Sequence, residues 1–77
     1  HLGTIELQGH TDDTGTPDFN LRLSADRANA VRDVFVANGV DPNRLTTKGY
    51  GQEKPLVPNT SEKNRAKNRR VQLVIVK

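Results

Sequence analysis

Apolar and polar positions change their period three times along this chain. Over residues 3–9, GTIELQG, Ile5 and Leu7 alternate with Glu6 and Gln8, the two-residue period of a half-buried strand. In LSADRANAVRDVFVANGV the apolar spacing lengthens. Ala28, Val31, Val34 and Phe35 fall on one stripe, which predicts a helix over 24–38. Ser24 is its expected N-cap, with Leu23 packing back on Ala28, and Gly39 followed by Pro42 ends it. RLTTKGYG, residues 44–51, is a short strand candidate with Leu45 and Tyr50 as its buried members. Two prolines and several turn residues make QEKPLVPNTSE a surface loop. TSEKNRAKNRR predicts a short helix capped by Thr60 or Ser61, with little apolar surface beyond Ala66. RVQLVIV then returns to period two. Val71, Leu73 and Ile75 share one face while Val74 and Val76 make the other nearly as apolar, so the pattern predicts an inner strand.

Strand, helix, strand, short helix, strand predicts an α+β fold: a two-layer sandwich of a mixed β-sheet with helices packed on one face, in one domain spanning residues 1–77. A chain of this size hides only roughly 60% of the surface its unfolded form exposes. The core must come from Val, Leu, Ile and Ala, because the 77 residues include one Tyr, two Phe and no Trp, Met or Cys. Lack of cysteine removes disulfides and thiolate zinc sites, and does not choose a compartment. No apolar run approaches the roughly 20 residues of a membrane helix, and with no signal peptide in the sequence the chain is expected to be a soluble mature piece.

Charge alters the picture locally. The net charge is +3, yet residues 59–77 hold Lys63, Arg65, Lys67, Arg69, Arg70 and Lys77 against Glu62 alone, and the rest carries more acid than base. A second feature is Arg27. With Ser24 as N-cap it falls in the first helical turn, where the macrodipole opposes a cation by about 0.3–1 kcal/mol. Two readings resolve the conflict. Arg27 bridges to Asp12, Asp13 or Asp18 as a structural ion pair, or it converges with the helix N-terminus on an anionic ligand. Asp12 lies just past the carboxyl end of the first strand, where ligands commonly bind in sheet-and-helix folds. An Asp and an Arg held close without neutralising each other suit a zwitterion, with the ammonium at Asp12 and the carboxylate at Arg27.

Three blocks, GHTDDTGTPDFNLRLSADRANAV, KGYGQEKPLVPN and NRAKNRRVQL, resemble in order and spacing the signatures of the OmpA C-terminal-like family, which includes MotB-type stator proteins and the peptidoglycan-associated lipoprotein. The likeness runs from Ile5 to Val74. It implies a non-enzymatic module that binds peptidoglycan through the diaminopimelate residue of its stem peptide. The family contacts to that residue's charged end map onto Asp12 and Arg27, with further contacts at Thr14, Asn20 and Leu23. Asn68, Arg69 and Arg70 belong to the same signature, either bridging local backbone and loop carboxylates or reaching the ligand. The resemblance further implies a periplasmic, cell-wall-facing location, a membrane-anchored parent protein and no cofactor.

Family members begin with an additional strand and helix ahead of the segment matching Ile5. The chain is therefore expected to be a fragment of a longer protein, with apolar surface exposed on the last strand and around Val31 and Phe35, favouring association into oligomers. Two other functions compete. KNRAKNRR and a pI near 9.7 suit a nucleic acid or another anionic polymer, but Phe19, Phe35 and Tyr50 are scattered and offer no stacking platform, so no nucleic-acid partner is expected. His10, Asp12 and Asp13 are conceivable metal ligands. Alternation splits them between two sides and His1 is a chain-end residue, so no metal site is expected.

Overall fold

A computed structural model describes residues 3–76; His1 and Lys77, both weighed above, lie outside them. The described chain runs β1 (Thr4–His10), α1 (Pro17–Ala37), a 3-10 turn (Pro42–Arg44), β2 (Leu45–Gly51), α2 (Glu62–Asn68) and β3 (Arg70–Val76). The three strands form one mixed sheet in the order β2-β1-β3. β1 runs parallel to β2, pairing Ile5 with Leu45, and antiparallel to β3, pairing Leu7 with Leu73. This is the α+β arrangement expected from the sequence, with α1 laid across β1 and β2.

Helix α1 begins seven residues earlier than the apolar stripe indicates. Thr16 is the N-cap, its hydroxyl accepting from the Phe19 N–H, Pro17 takes the first helical position and Asp18 sits in the first turn. Proline there forfeits an N–H that has no partner anyway, and its fixed φ suits the helix. Ser24 is therefore not the N-cap. It lies fully buried inside α1, donating to the Leu21 carbonyl at 2.8 Å and accepting from the Gly51 N–H at 2.9 Å. The helix ends as expected, at Asn38, with Gly39 at φ 96°.

The close approach of α1 to the sheet depends on glycine. A Cβ added to Gly9 would collide with the Ser24 carbonyl, and one added to Gly49 would stand 2.6 Å from the Ala25 backbone nitrogen. Helix and sheet thus pack backbone to backbone, leaving a small apolar core of Leu7, Ala28 and Leu45. Tyr50 is only half-buried.

Helix α2 starts at Ser61, whose hydroxyl accepts from the Asn64 N–H. At its other end Asn68 is fully buried and ties down the loop before it. Its Oδ1 accepts from the N–H groups of Leu56 and Val57, and its Nδ2 donates to the Val57 carbonyl and to Asn59.

The expectation for the last strand is corrected. β3 pairs with β1 alone and is an edge strand, while β1 is the inner one. Its apolar faces look like those of a covered strand, but α1 lies over β1 and β2, leaving Leu73 52% and Ile75 68% exposed. Val34 on α1 is also exposed, whereas Val31 and Phe35 are half-buried.

Candidate functional site

β1 delivers His10, Thr11 and Asp12 to the carboxyl end of the sheet, and all three are buried. The backbone is pinned there from two sides. The Thr11 N–H donates to the Gly51 carbonyl at 2.9 Å, joining the loop to the end of β2. Asn20 on α1 donates through Nδ2 to the Asp12 carbonyl at 3.3 Å and to Gln52 at 2.7 Å. Asp12 is thereby fixed by main-chain contacts before its carboxylate meets anything.

That carboxylate has two partners. Oδ1 accepts from the Thr14 N–H at 2.9 Å, and Oδ2 accepts from Arg69 Nη1 at 2.7 Å. The other guanidinium nitrogen of Arg69, Nη2, donates to Glu62 at 2.8 Å. Burial pushes the Asp12 carboxyl up, but the Thr14 N–H and the Arg69 guanidinium outweigh it and hold the group below the ordinary carboxylate range. An ionised carboxylate offers about four lone-pair positions, so acceptor capacity remains for a ligand.

A cleft of about 440 Å³ opens over this carboxylate, lined by Thr11, Asp12, Thr14, Phe19, Asn20, Leu23, Arg27, Glu62 and Arg69. All five residues expected from the sequence therefore converge, although they come from the loop after β1 and from α1. Asp13, weighed above as a bridge partner of Arg27 and as a metal ligand, is exposed in the bend after Asp12 and does not line the cleft.

Arg27 reaches the cleft by another route than expected. Because α1 starts at Pro17, Arg27 lies in the helix interior, and the conflict with the macrodipole does not arise. The bridge to Asp12, Asp13 or Asp18 is not formed either: among the described residues Arg27 makes no salt bridge, and Asp12 pairs with Arg69 instead. Arg27 and Arg69 also line an adjoining groove over Ala30, Val31 and Val71.

Glu62, Thr11 and Phe19 are the lining residues that sequence reasoning passed over. The signal for Glu62 was available, since Glu62, Arg65 and Arg69 recur at helical spacing and share a face. Arg65 Nε stands 3.4 Å from Glu62, and Arg70 donates to the carbonyls of Asn68 and Lys54. Much of the basic segment is thus committed to the protein's own acceptors.

These features define a small α+β domain with a charged cleft at the carboxyl end of its inner strand. The chain belongs to the OmpA family, whose family model matches residues 2–69. Outer membrane protein A of Bordetella avium is 44% identical over 75 residues, covering 97% of this chain and 39% of that protein. The peptidoglycan-binding protein ArfA of Mycobacterium tuberculosis is 42% identical over 71 residues, covering 92% of this chain and 22% of ArfA. The crystal structure of the peptidoglycan-associated lipoprotein from Burkholderia pseudomallei superposes with a TM-score of 0.89 at 39% identity, covering 92% of this chain and 60% of that one. The chain thus spans less than two thirds of each of these relatives.

Proposed function

We propose that this domain binds peptidoglycan non-covalently through the diaminopimelate residue of the stem peptide, tethering the membrane-anchored protein it belongs to within the periplasm. Asp12 accepts the ammonium and Arg27 receives the carboxylate of the side-chain zwitterion, with Thr14, Asn20 and Leu23 shaping the cleft around them. The observation that carries this reading is the presence of Asp12 and Arg27 in one cleft without a salt bridge between them. Membership of the OmpA family and the likeness to the peptidoglycan-binding protein ArfA and to the peptidoglycan-associated lipoprotein support it.

The chemistry also sets a preference. Lysine at the same stem position keeps the ammonium and lacks the carboxylate. An unpaired Arg27 and a lost charge-assisted hydrogen bond cost on the order of 1.5–3 kcal/mol, or roughly 10- to 100-fold in affinity. The test is NMR shift perturbation with stem tripeptides ending in diaminopimelate or in lysine. The diaminopimelate peptide is expected to move the amides of residues 11–28 at the lower concentration. Asp12→Ala and Arg27→Ala are expected to abolish pull-down by diaminopimelate-type peptidoglycan without altering the circular dichroism spectrum. Retained binding in both variants would overturn the assignment.

A further inference from the structure

Within the cleft, Arg69 has no role in the zwitterion contacts just described, yet it is the residue most firmly attached to them. It bridges two acids from different parts of the chain, Asp12 after β1 at 2.7 Å and Glu62 at the start of α2 at 2.8 Å. We propose that Arg69, anchored by Glu62, positions the Asp12 carboxylate for the ligand's ammonium and makes the cleft select a neutral zwitterion over a simple cation. The inference rests on the reading of Asp12 as the ammonium acceptor.

Charge balance gives the reason. Asp12, Glu62, Arg27 and Arg69 line one cleft, two acids against two bases, so the cleft is neutral as a whole, with Arg69 standing between the two acids. A ligand head carrying both ammonium and carboxylate keeps that balance. A lone ammonium must settle at Asp12 in the field of both guanidiniums, with nothing to offer Arg27. Without Arg69 the pair Asp12 and Glu62 would make the same cleft acidic, and it would accept any cation.

Orientation is the second part. Arg69 uses a fork of two nitrogens, each to a different carboxylate, which fixes its plane in a way that a single ammonium could not. With Oδ1 held by the Thr14 N–H and Oδ2 by Arg69, the remaining lone pairs of Asp12 have defined directions.

The experiment measures affinities of the wild type, Arg69→Gln and Arg69→Lys for the two stem tripeptides by titration calorimetry, with Asp12→Ala as reference. Arg69→Gln is expected to lose the diaminopimelate peptide while keeping or gaining the lysine peptide, shrinking the preference at least about fivefold. Arg69→Lys restores the charge without the fork, and an intermediate preference is expected. A residue that served the fold alone would weaken both peptides equally. In the wild type, binding of the diaminopimelate peptide is expected to persist down to pH 3.8, the ordinary Asp value, and to fail only below it. Arg69→Gln is expected to lose binding at a higher pH than the wild type, compared where circular dichroism shows both folded, and an unshifted acid limb counts against the role of Arg69. If the wild type binds neither peptide, or Asp12→Ala binds as well as wild type, the proposed function itself fails. If both controls behave and Arg69→Gln keeps the wild-type preference, only the role of Arg69 is refuted.

Discussion

At the scale of single residues, polar side chains do much of the structural work. Six polar or charged residues, His10, Thr11, Asp12, Asn20, Ser24 and Asn68, are buried beside three apolar ones. Most are matched by hydrogen bonds, and His10 is the exception. Its ring is 2% exposed, stacks on Tyr50 at 5.3 Å, and finds no hydrogen-bond partner for either nitrogen among the described residues. Burial, then the charges of Arg70 and Lys54, lower its pKa from the ordinary 6.5. The unfolded chain therefore binds a proton that the folded one refuses, and stability rises with pH through that interval. As the pH falls below 6.5 toward the depressed folded value, the domain is expected to lose stability. Urea midpoints taken from pH 7.5 to 4.5 check this, and His10→Phe, which keeps the stack, should flatten the slope. Asp12 adds a second loss below its ordinary 3.8, because its folded form prefers to stay ionised.

At the scale of elements, the helix start and the helix–sheet seam decide what the cleft looks like. Gly9→Ala would drive a methyl into the Ser24 carbonyl, and α1 could escape only by lifting off the inner strand. The expected cost is about 3 kcal/mol, seen as a fall in Tm on the order of 10–20 °C for a domain of this size. A melting curve within a few degrees of wild type would show that the seam is softer than drawn. The same elements show how far the sequence was legible. Strand periods, the Ser61 cap and the Gly39 stop were readable because each rests on local chemistry. The beginning of α1 was not read from the apolar stripe, because residues 17–23 carry no clear core-facing pattern: Phe19 and Leu21 are exposed and Asn20 is buried. Thr16-Pro17-Asp18 did hold the signature of a helix start, but it lay inside a stretch that reads equally well as turns. Of the five residues expected at the site, all of which line the cleft, Asp12 and Arg27 were singled out by charge placement as well as motif likeness, and Thr14, Asn20 and Leu23 by motif likeness alone. A bridge from Arg69 or Arg70 to a loop carboxylate was one of two open readings, and it is Arg69 that forms it, but Asp12 as the partner was not legible, because a contact across 57 positions has no local trace.

For the molecule as a whole, β3 is the vulnerable side. Its free edge follows from the strand order, and Leu73, Ile75 and Val76 are exposed along it. A seven-residue edge rich in β-branched side chains is a template for pairing with another chain. The 77-residue chain is expected to self-associate as its concentration rises, and Leu73→Lys with Ile75→Lys to suppress this, since a buried lysine at a strand-to-strand contact is costly. Sedimentation velocity over a hundredfold concentration range checks it. A wild type that stays monomeric throughout would show that the edge is protected by its own twist. β3 also explains why an inner strand was expected: side-chain pattern reports how apolar a strand is, while its place in the sheet depends on which partners the topology supplies.

The bond between Arg69 and Asp12 has a consequence for the order of events in folding. The loop after the first strand and the long helix supply seven of the nine lining residues, and with the first two strands they occupy the first two thirds of the chain and pack mainly on one another. Asp12 gains its cation only when the segment around residue 69 closes a loop of 57 positions, a step whose entropic cost makes it late. A chain still being made, or one cut short before α2, would carry an aspartate held by the Thr14 N–H but without its cation. On the proposed role of Arg69, ligand recognition would be in that sense a certificate of completion, available to the finished domain and withheld from its precursors.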